Sequence, residues 1–156
     1  MSKLRCYFAH PYHYKDTDDK YRIIEEMISR RFEILDPFKE EKKTLEKFGV
    51  TDYFSGESYE LARAIWTQCL GLISSAQIVV AWIPSIDELF LSKKAMYHTI
   101  GTAEEIAYAY EKGKFIQIIS PIHHPSFAVY ASDKQYFETI HEWTWHKHYI
   151  WRKYKK

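Results

Sequence analysis

Glu104 and Glu105 follow a Gly101-Thr102 pair in the stretch Gly101-Thr102-Ala103-Glu104-Glu105-Ile106-Ala107-Tyr108-Ala109. A carboxylate can attack an electrophilic carbon or stabilise a developing cation, provided that it stays ionised. A Gly-Thr turn that opens a helix supplies this condition, because carboxylates in a first turn face the positive end of the helix dipole. On spacing alone Glu104 and Glu105 are equal candidates, and an ordinary acidic helix start is the competing reading. A second set of chemistry-bearing residues follows the first apolar run: Tyr7, His10, Tyr12, His13 and Lys15. The cationic members of this set, with Ser120 further on, could contact a phosphate, although surface histidines and lysines are common. His123, His124, His141, His146 and His148 invite a metal, but their spacing matches no closed zinc site, so none is expected.

The elements that must position these residues follow from hydrophobic patterning. Leu4 to Ala9 reads as a buried strand stopped by His10-Pro11. Asp18 or Asp19 is placed to cap a helix through Arg31, with Tyr21, Ile24, Met27 and Ile28 on its apolar face. Phe32 to Leu35 reads as a second strand, and residues 38–48 as a short helix ended by Gly49. A longer helix over 58–74 is expected to bury Leu61, Ile65, Cys69 and Leu72. Residues 77–83 are uniformly apolar, as central parallel strands are. Residues 84–100 read as a long loop before the Gly-Thr turn, 102–112 as a helix ended by Gly113, and 114–119 as a further strand. Ser126 to Ala131 is an edge-strand candidate, and Asp133 to about Arg152 reads as an aromatic-rich helix.

Strands alternating with helices predict a doubly wound α/β fold, a flavodoxin-like five-stranded parallel sheet of order 2-1-3-4-5 with helices on both faces. Ligands of such sheets bind at the carboxyl ends of the strands, where the strand order reverses. Here that point lies between the first and third strands. One side brings Tyr7, Phe8, His10 and Tyr12, and the other brings Trp82, the long loop and the Gly101-Thr102 turn, so both candidate motifs converge on one crevice.

Composition bounds the class. A chain of 156 residues is most simply one domain, 1–156, and its net charge of +1 gives no electrostatic case for polymeric nucleic acid or a membrane surface. No apolar run reaches membrane-spanning length, the amino terminus reads as a strand rather than a signal peptide, and Cys6 and Cys69 form no disulfide framework. A cytoplasmic protein is expected. The aromatic content, 13 Tyr, 9 Phe and 5 Trp, is more than a chain of this size can bury, so some must line clefts or interfaces. Trp143, Trp145 and Trp151 read as core or dimer surface.

Four segments, in order, resemble the nucleoside 2-deoxyribosyltransferase family, which includes the 2′-deoxynucleoside 5′-phosphate N-hydrolases. They are Cys6-Tyr7-Phe8-Ala9-His10-Pro11-Tyr12, Leu35-Asp36-Pro37-Phe38, Ser75-Ala76-Gln77-Ile78-Val79-Val80-Ala81, and Gly101 to Ala109 with Lys112-Gly113-Lys114. The resemblance implies a glutamate nucleophile four residues after the glycine, which selects Glu105, and a strand-one tyrosine beside it, Tyr7. It implies an N-glycosidic bond of a (deoxy)nucleoside or nucleoside 5′-monophosphate as target, a glycosyl-enzyme intermediate, no cofactor, and a homodimer whose neighbouring chains complete the site. Phe8, His10, Tyr12, Cys69, Trp82, Thr99, Gly101, Thr102 and Ser120 are the expected substrate contacts. The chain departs from the family at Cys69, where an aspartate is usual, and at Thr99, often aspartate or serine. Asp87, Glu88 or His98 could serve as the leaving-group acid in place of Cys69. A catalytically impaired nucleotide-binding module of the same fold is the alternative.

Overall fold

The computed structural model describes residues 3–11, 17–51, 58–84, 93–120 and 135–145, with residues 93–100 by their backbone alone. Five strands, β1 (Arg5–Ala9), β2 (Glu33–Leu35), β3 (Ile78–Trp82), β4 (Phe115–Ile119) and β5 (Gln135–Phe137), form one sheet in the order β2-β1-β3-β4-β5. Every neighbouring pair is parallel. This is the expected sheet, and it places the reversal of strand order between β1 and β3.

The central strand β3 is uniformly apolar because both its faces are covered, and the alternation of side chains along the strands divides the core into two layers. Tyr7, Ala9, Val79, Ala81, Ile116 and Ile118 face one layer, against Ile73 of α3 (Tyr59–Ser75) and Ala103, Ile106 and Ala109 of α4 (Lys93–Glu111). Cys6, Phe8, Ile78, Val80, Trp82 and Ile119 face the other. There they meet Ile23 and Met27 of α1 (Asp18–Ser29) and Trp143 of α5 (Ile140–Trp145). The remaining helix, α2 (Pro37–Lys47), packs on α3, tied to it by Thr44 Oγ1 donating to Gln68 Oε1 at 2.8 Å.

Local chemistry explains the element ends, with some departures from expectation. Thr17 caps α1 by accepting from the Lys20 N–H, while Asp18 and Asp19 stand within the first turn, where the helix dipole favours them. The buried face of α1 is Lys20, Ile23 and Met27, leaving Tyr21 and Ile28 exposed; adjacent isoleucines at 23 and 24 make the stripe ambiguous by one residue. Asp36 caps α2 through its bond from the Phe38 N–H at 3.0 Å. Gly49 and Gly113, at φ 68° and 64°, close α2 and α4 in the left-handed conformation glycine tolerates best. In α3 the fully buried positions are Leu61, Cys69 and Ile73, with Ile65 and Leu72 only partly covered.

Two expectations are corrected. Residues 93–100 are helical, so Gly101 and Thr102 lie within α4 rather than in a turn that starts it. Gly101 costs a helix interior only about 1 kcal/mol relative to alanine, which tertiary packing overrides. Where a helix was expected over 133–152, the described residues 135–145 form a strand followed by a short helix, because Gln135 to Phe137 finds a partner in β4. Trp143 anchors that segment. Its indole N–H donates to Gln117 Oε1 at 2.9 Å, and Arg30 donates to its carbonyl oxygen at 2.7 Å from a guanidinium 4.1 Å above the ring. The edge strand read at 126–131 lies outside the described residues. No helix among the described residues is long and apolar enough to cross a membrane.

Candidate active site

Tyr7 projects from the middle of β1 into the α3/α4 layer, where it is fully buried. There its phenol donates a 2.7 Å hydrogen bond to Glu105 Oε1, joining positions 98 residues apart. Helical spacing explains why Glu105 and not Glu104 is chosen. Thr102, Glu105, Ile106 and Ala109 share the buried face of α4, whereas Glu104 is exposed. The oxygen Oε1 is held by Tyr7.

The electrostatics differ from those a helix start would impose. With Gly101 and Thr102 inside α4, no positive helix end reaches Glu105, and burial dominates. Loss of water pushes its pKa up to about 7, against the opposing hydrogen bonds from Tyr7 and Cys69. The carboxyl is therefore divided between its two protonation states near neutrality. Among the described residues no lysine, arginine or histidine pairs with it. Burial, then the charge of Glu105, holds the Tyr7 phenol well above its usual range, so it remains an O–H donor.

Cys69, on the buried face of α3, completes the cluster. Its thiol interacts with both the Glu105 carboxyl and the Tyr7 phenol, and burial raises its pKa to about 12. It is a protonated donor at any ordinary pH. Glu41, on the buried stripe Pro37, Glu41 and Leu45 of α2, bears electrostatically on Cys69 and was not singled out from sequence. Its signal was available, since a carboxylate at i, i+4 spacing with Leu45 stands where an apolar residue is usual.

The remaining predicted contacts are more dispersed. Phe8 and Trp82 belong to the opposite core layer, against α1 and α5, because their strand positions alternate with Tyr7 and Ala81. His10 lies buried at the carboxyl end of β1, its ring 4.4 Å from Phe8 and 4.8 Å from Phe38 between centroids. Nδ1 lies 3.2 Å from the Phe8 carbonyl oxygen and so must carry the proton it donates. Burial lowers the pKa to about 4, leaving the ring neutral and Nε2 an acceptor. His10 therefore offers no positive charge to a phosphate near pH 7, contrary to the cationic reading. A buried ion pair beside it, Lys20 Nζ to Asp36 Oδ2 at 3.0 Å, was also missed from sequence. Thr102 and Ser120 are buried and Gly101 is half-buried; Ser120 stands just past the end of β4, its N–H bonded to the Phe137 carbonyl oxygen. Thr99 is placed by backbone only, within α4, as is His98. Tyr12, His13, Lys15, Asp87, Glu88, His123, His124, His146, His148 and Trp151 lie outside the described residues. No group of three or more potential metal ligands occurs among the described residues.

No protein-family model matches the sequence, and no curated protein matches it. Solved structures do resemble it. A 2-deoxyribosyltransferase from Bacillus psychrosaccharolyticus superposes with a TM-score of 0.59 at 18% identity, covering 86% of each chain. A 2-deoxyribosyltransferase from Leishmania mexicana gives 0.46 at 17% identity, over 83% of this chain and 72% of that one. A CMP N-glycosidase from Clostridium botulinum gives 0.45 at 15%, over 90% and 94%. The first of these likenesses shows the doubly wound fold that the ordered segments implied.

Proposed function

We propose that the protein cleaves or transfers the N-glycosidic bond of a (deoxy)nucleoside or nucleoside 5′-monophosphate, with Glu105 as nucleophile. The observation that carries this reading is the buried 2.7 Å contact from Tyr7 to Glu105 at the β1 side of the topological switch. The 2-deoxyribosyltransferase that shares the fold lends it support.

The chemistry follows from the geometry. Lengthening of the C1′–N bond builds positive charge on the sugar, which the Glu105 carboxylate stabilises and then captures through Oε2 as a glycosyl ester. Tyr7 holds Oε1 and thereby orients the attacking oxygen, which is the positional advantage a preorganised nucleophile requires. Water, or a second base in a transferase, then attacks C1′ and releases Glu105. No step needs a cofactor. We place this activity in a single-domain cytoplasmic enzyme acting as a homodimer, with the exposed Trp145 on the candidate interface; a monomer in light scattering at micromolar concentration would oppose the dimer.

A panel of nucleosides, deoxynucleosides and their monophosphates, incubated with and without a second base, tests the proposal. Release of free base by the wild type and its loss in Glu105→Ala are expected. Identical behaviour of the two proteins, with no base released, would overturn it. The protonated thiol at Cys69 favours one second reading, a nucleotide-binding module without turnover. Calorimetric titration showing tight binding of an uncleaved nucleotide would identify that case.

A further inference from the structure

Two elements reach the Glu105 carboxyl independently. Tyr7, from β1, donates to Oε1 at 2.7 Å. Cys69, from α3, donates its S–H to the same carboxyl and also hydrogen-bonds the Tyr7 phenol. The three side chains therefore close a triangle whose corners stand on β1, α3 and α4, and all three are buried. Cys69 shares the inward stripe of α3 with Leu61 and Ile73, so the packing of the helix itself aims the thiol at the cluster. A cysteine that only fills space meets apolar neighbours, whereas this one meets a carboxyl and a phenol. The protons are arranged to suit a donor role. Burial raises the thiol pKa to about 12, and the charges of Glu105 and of Glu41 on α2 act in the same direction, so the sulfur keeps its proton. One hydrogen bond leaves a carboxyl free to swing about that bond. A second donor, arriving from a different element, removes the freedom.

Resting on the glycosidic reading above for its catalytic meaning, we propose that Cys69 is a positioning residue, its S–H the second anchor that fixes, with Tyr7, the direction in which the Glu105 carboxylate meets C1′. Cys69 acts through Glu105 and forms no bond to the sugar. Because a hydrogen bond to the charged form favours that form, the anchor also helps to keep the carboxyl ionised against burial.

The test is the titration of the Glu105 carboxyl by carbon-13 NMR in the wild type, Cys69→Ala and Cys69→Ser, with the resonance identified by its loss in Glu105→Gln. Tyr7 and Glu104, which also act on this carboxyl, are the same in all three proteins. Cys69→Ala is expected to raise the midpoint by about 0.5–1 pH unit, the scale of one ordinary hydrogen bond. Cys69→Ser keeps a donor in place and should return the midpoint to the wild-type value or below it, a rescue that space-filling alone would not produce. The ascending limb of kcat/KM should follow the same order. Above that limb, where the carboxylate is fully ionised, kcat of Cys69→Ala should remain lower by on the order of 10-fold or more, the mark of a misplaced nucleophile. A midpoint unchanged in Cys69→Ala, or displaced equally in Cys69→Ser, would overturn this inference and leave the glycosidic reading intact. The expected midpoints without Glu105-dependent cleavage of any nucleoside or nucleotide would support the anchor and overturn that reading.

Discussion

The behaviour of Glu105 rests on a contest between burial and hydrogen bonding. Burial raises its pKa to about 7 while Tyr7 and Cys69 oppose the rise. Cleavage that needs the carboxylate should therefore increase with pH through about 7. Tyr7→Phe removes the leading opposing bond, and a bond to a charged group contributes about 1.5–3 kcal/mol. The ascending limb of kcat/KM should then move upward by about 1–2 pH units; a limb that stays in place would show that Tyr7 does not act on Glu105. The same shift has a stability cost with a definite sign. Between its ordinary value of 4.5 and the folded value of about 7, the folded chain holds this proton more tightly than the unfolded chain does. Stability contributed by the protonated form is complete below about 4.5 and is lost as pH rises through 7. Glu105→Gln should thus raise the unfolding free energy at pH 8 by an amount on the order of a few kcal/mol, read by chemical denaturation, and change it little at pH 4.5. Equal shifts at the two pH values would contradict the burial argument. The pairing of Glu105 with Tyr7 was implied by the family resemblance, since spacing alone leaves Glu104 and Glu105 equal. Its electrostatic cause was not, because a glycine before two glutamates imitates a helix start.

That imitation is tested at the scale of the element. Gly101 lies inside α4 without positive φ, and a Cβ added there meets no atom within 4 Å. Gly101→Ala should stabilise the protein by about 0.5–1 kcal/mol, read by chemical denaturation. Destabilisation would restore the turn that the sequence suggests. The other misread segment has a different cause. A strand as short as Gln135–Phe137 carries too few residues to show alternation, and it is defined by pairing with β4 and by Trp143, Gln117 and Arg30 converging from distant positions. Long apolar runs such as Ile78–Trp82 were readable because burial on both faces leaves no room for polar residues. The capping of α2 by Asp36 and Pro37 is likewise local chemistry, whereas the ion pair from Asp36 to Lys20 depends on how α1 crosses the sheet.

For the whole molecule, strand order accounts for how remote residues become a site. The right-handed crossovers of a doubly wound sheet carry α3 and α4 to one face, so Cys69 and Glu105 arrive together over Tyr7 of β1. Phe8 and Trp82, one residue out of phase along their strands, go to the other layer and pack there with Ile23, Met27 and Trp143. The architecture thus separates the cluster at Glu105 from the packing that supports it, and the central claim is that Glu105 becomes covalently attached to the sugar. Intact-protein and peptide mass spectrometry with a 2-deoxy-2-fluoro nucleoside, whose fluorine slows breakdown of a glycosyl ester, measures this directly. The account predicts one added fluorosugar on the peptide containing Glu105, absent from Glu105→Gln. Turnover of natural substrate with no adduct at Glu105, or an adduct on another residue, would contradict it.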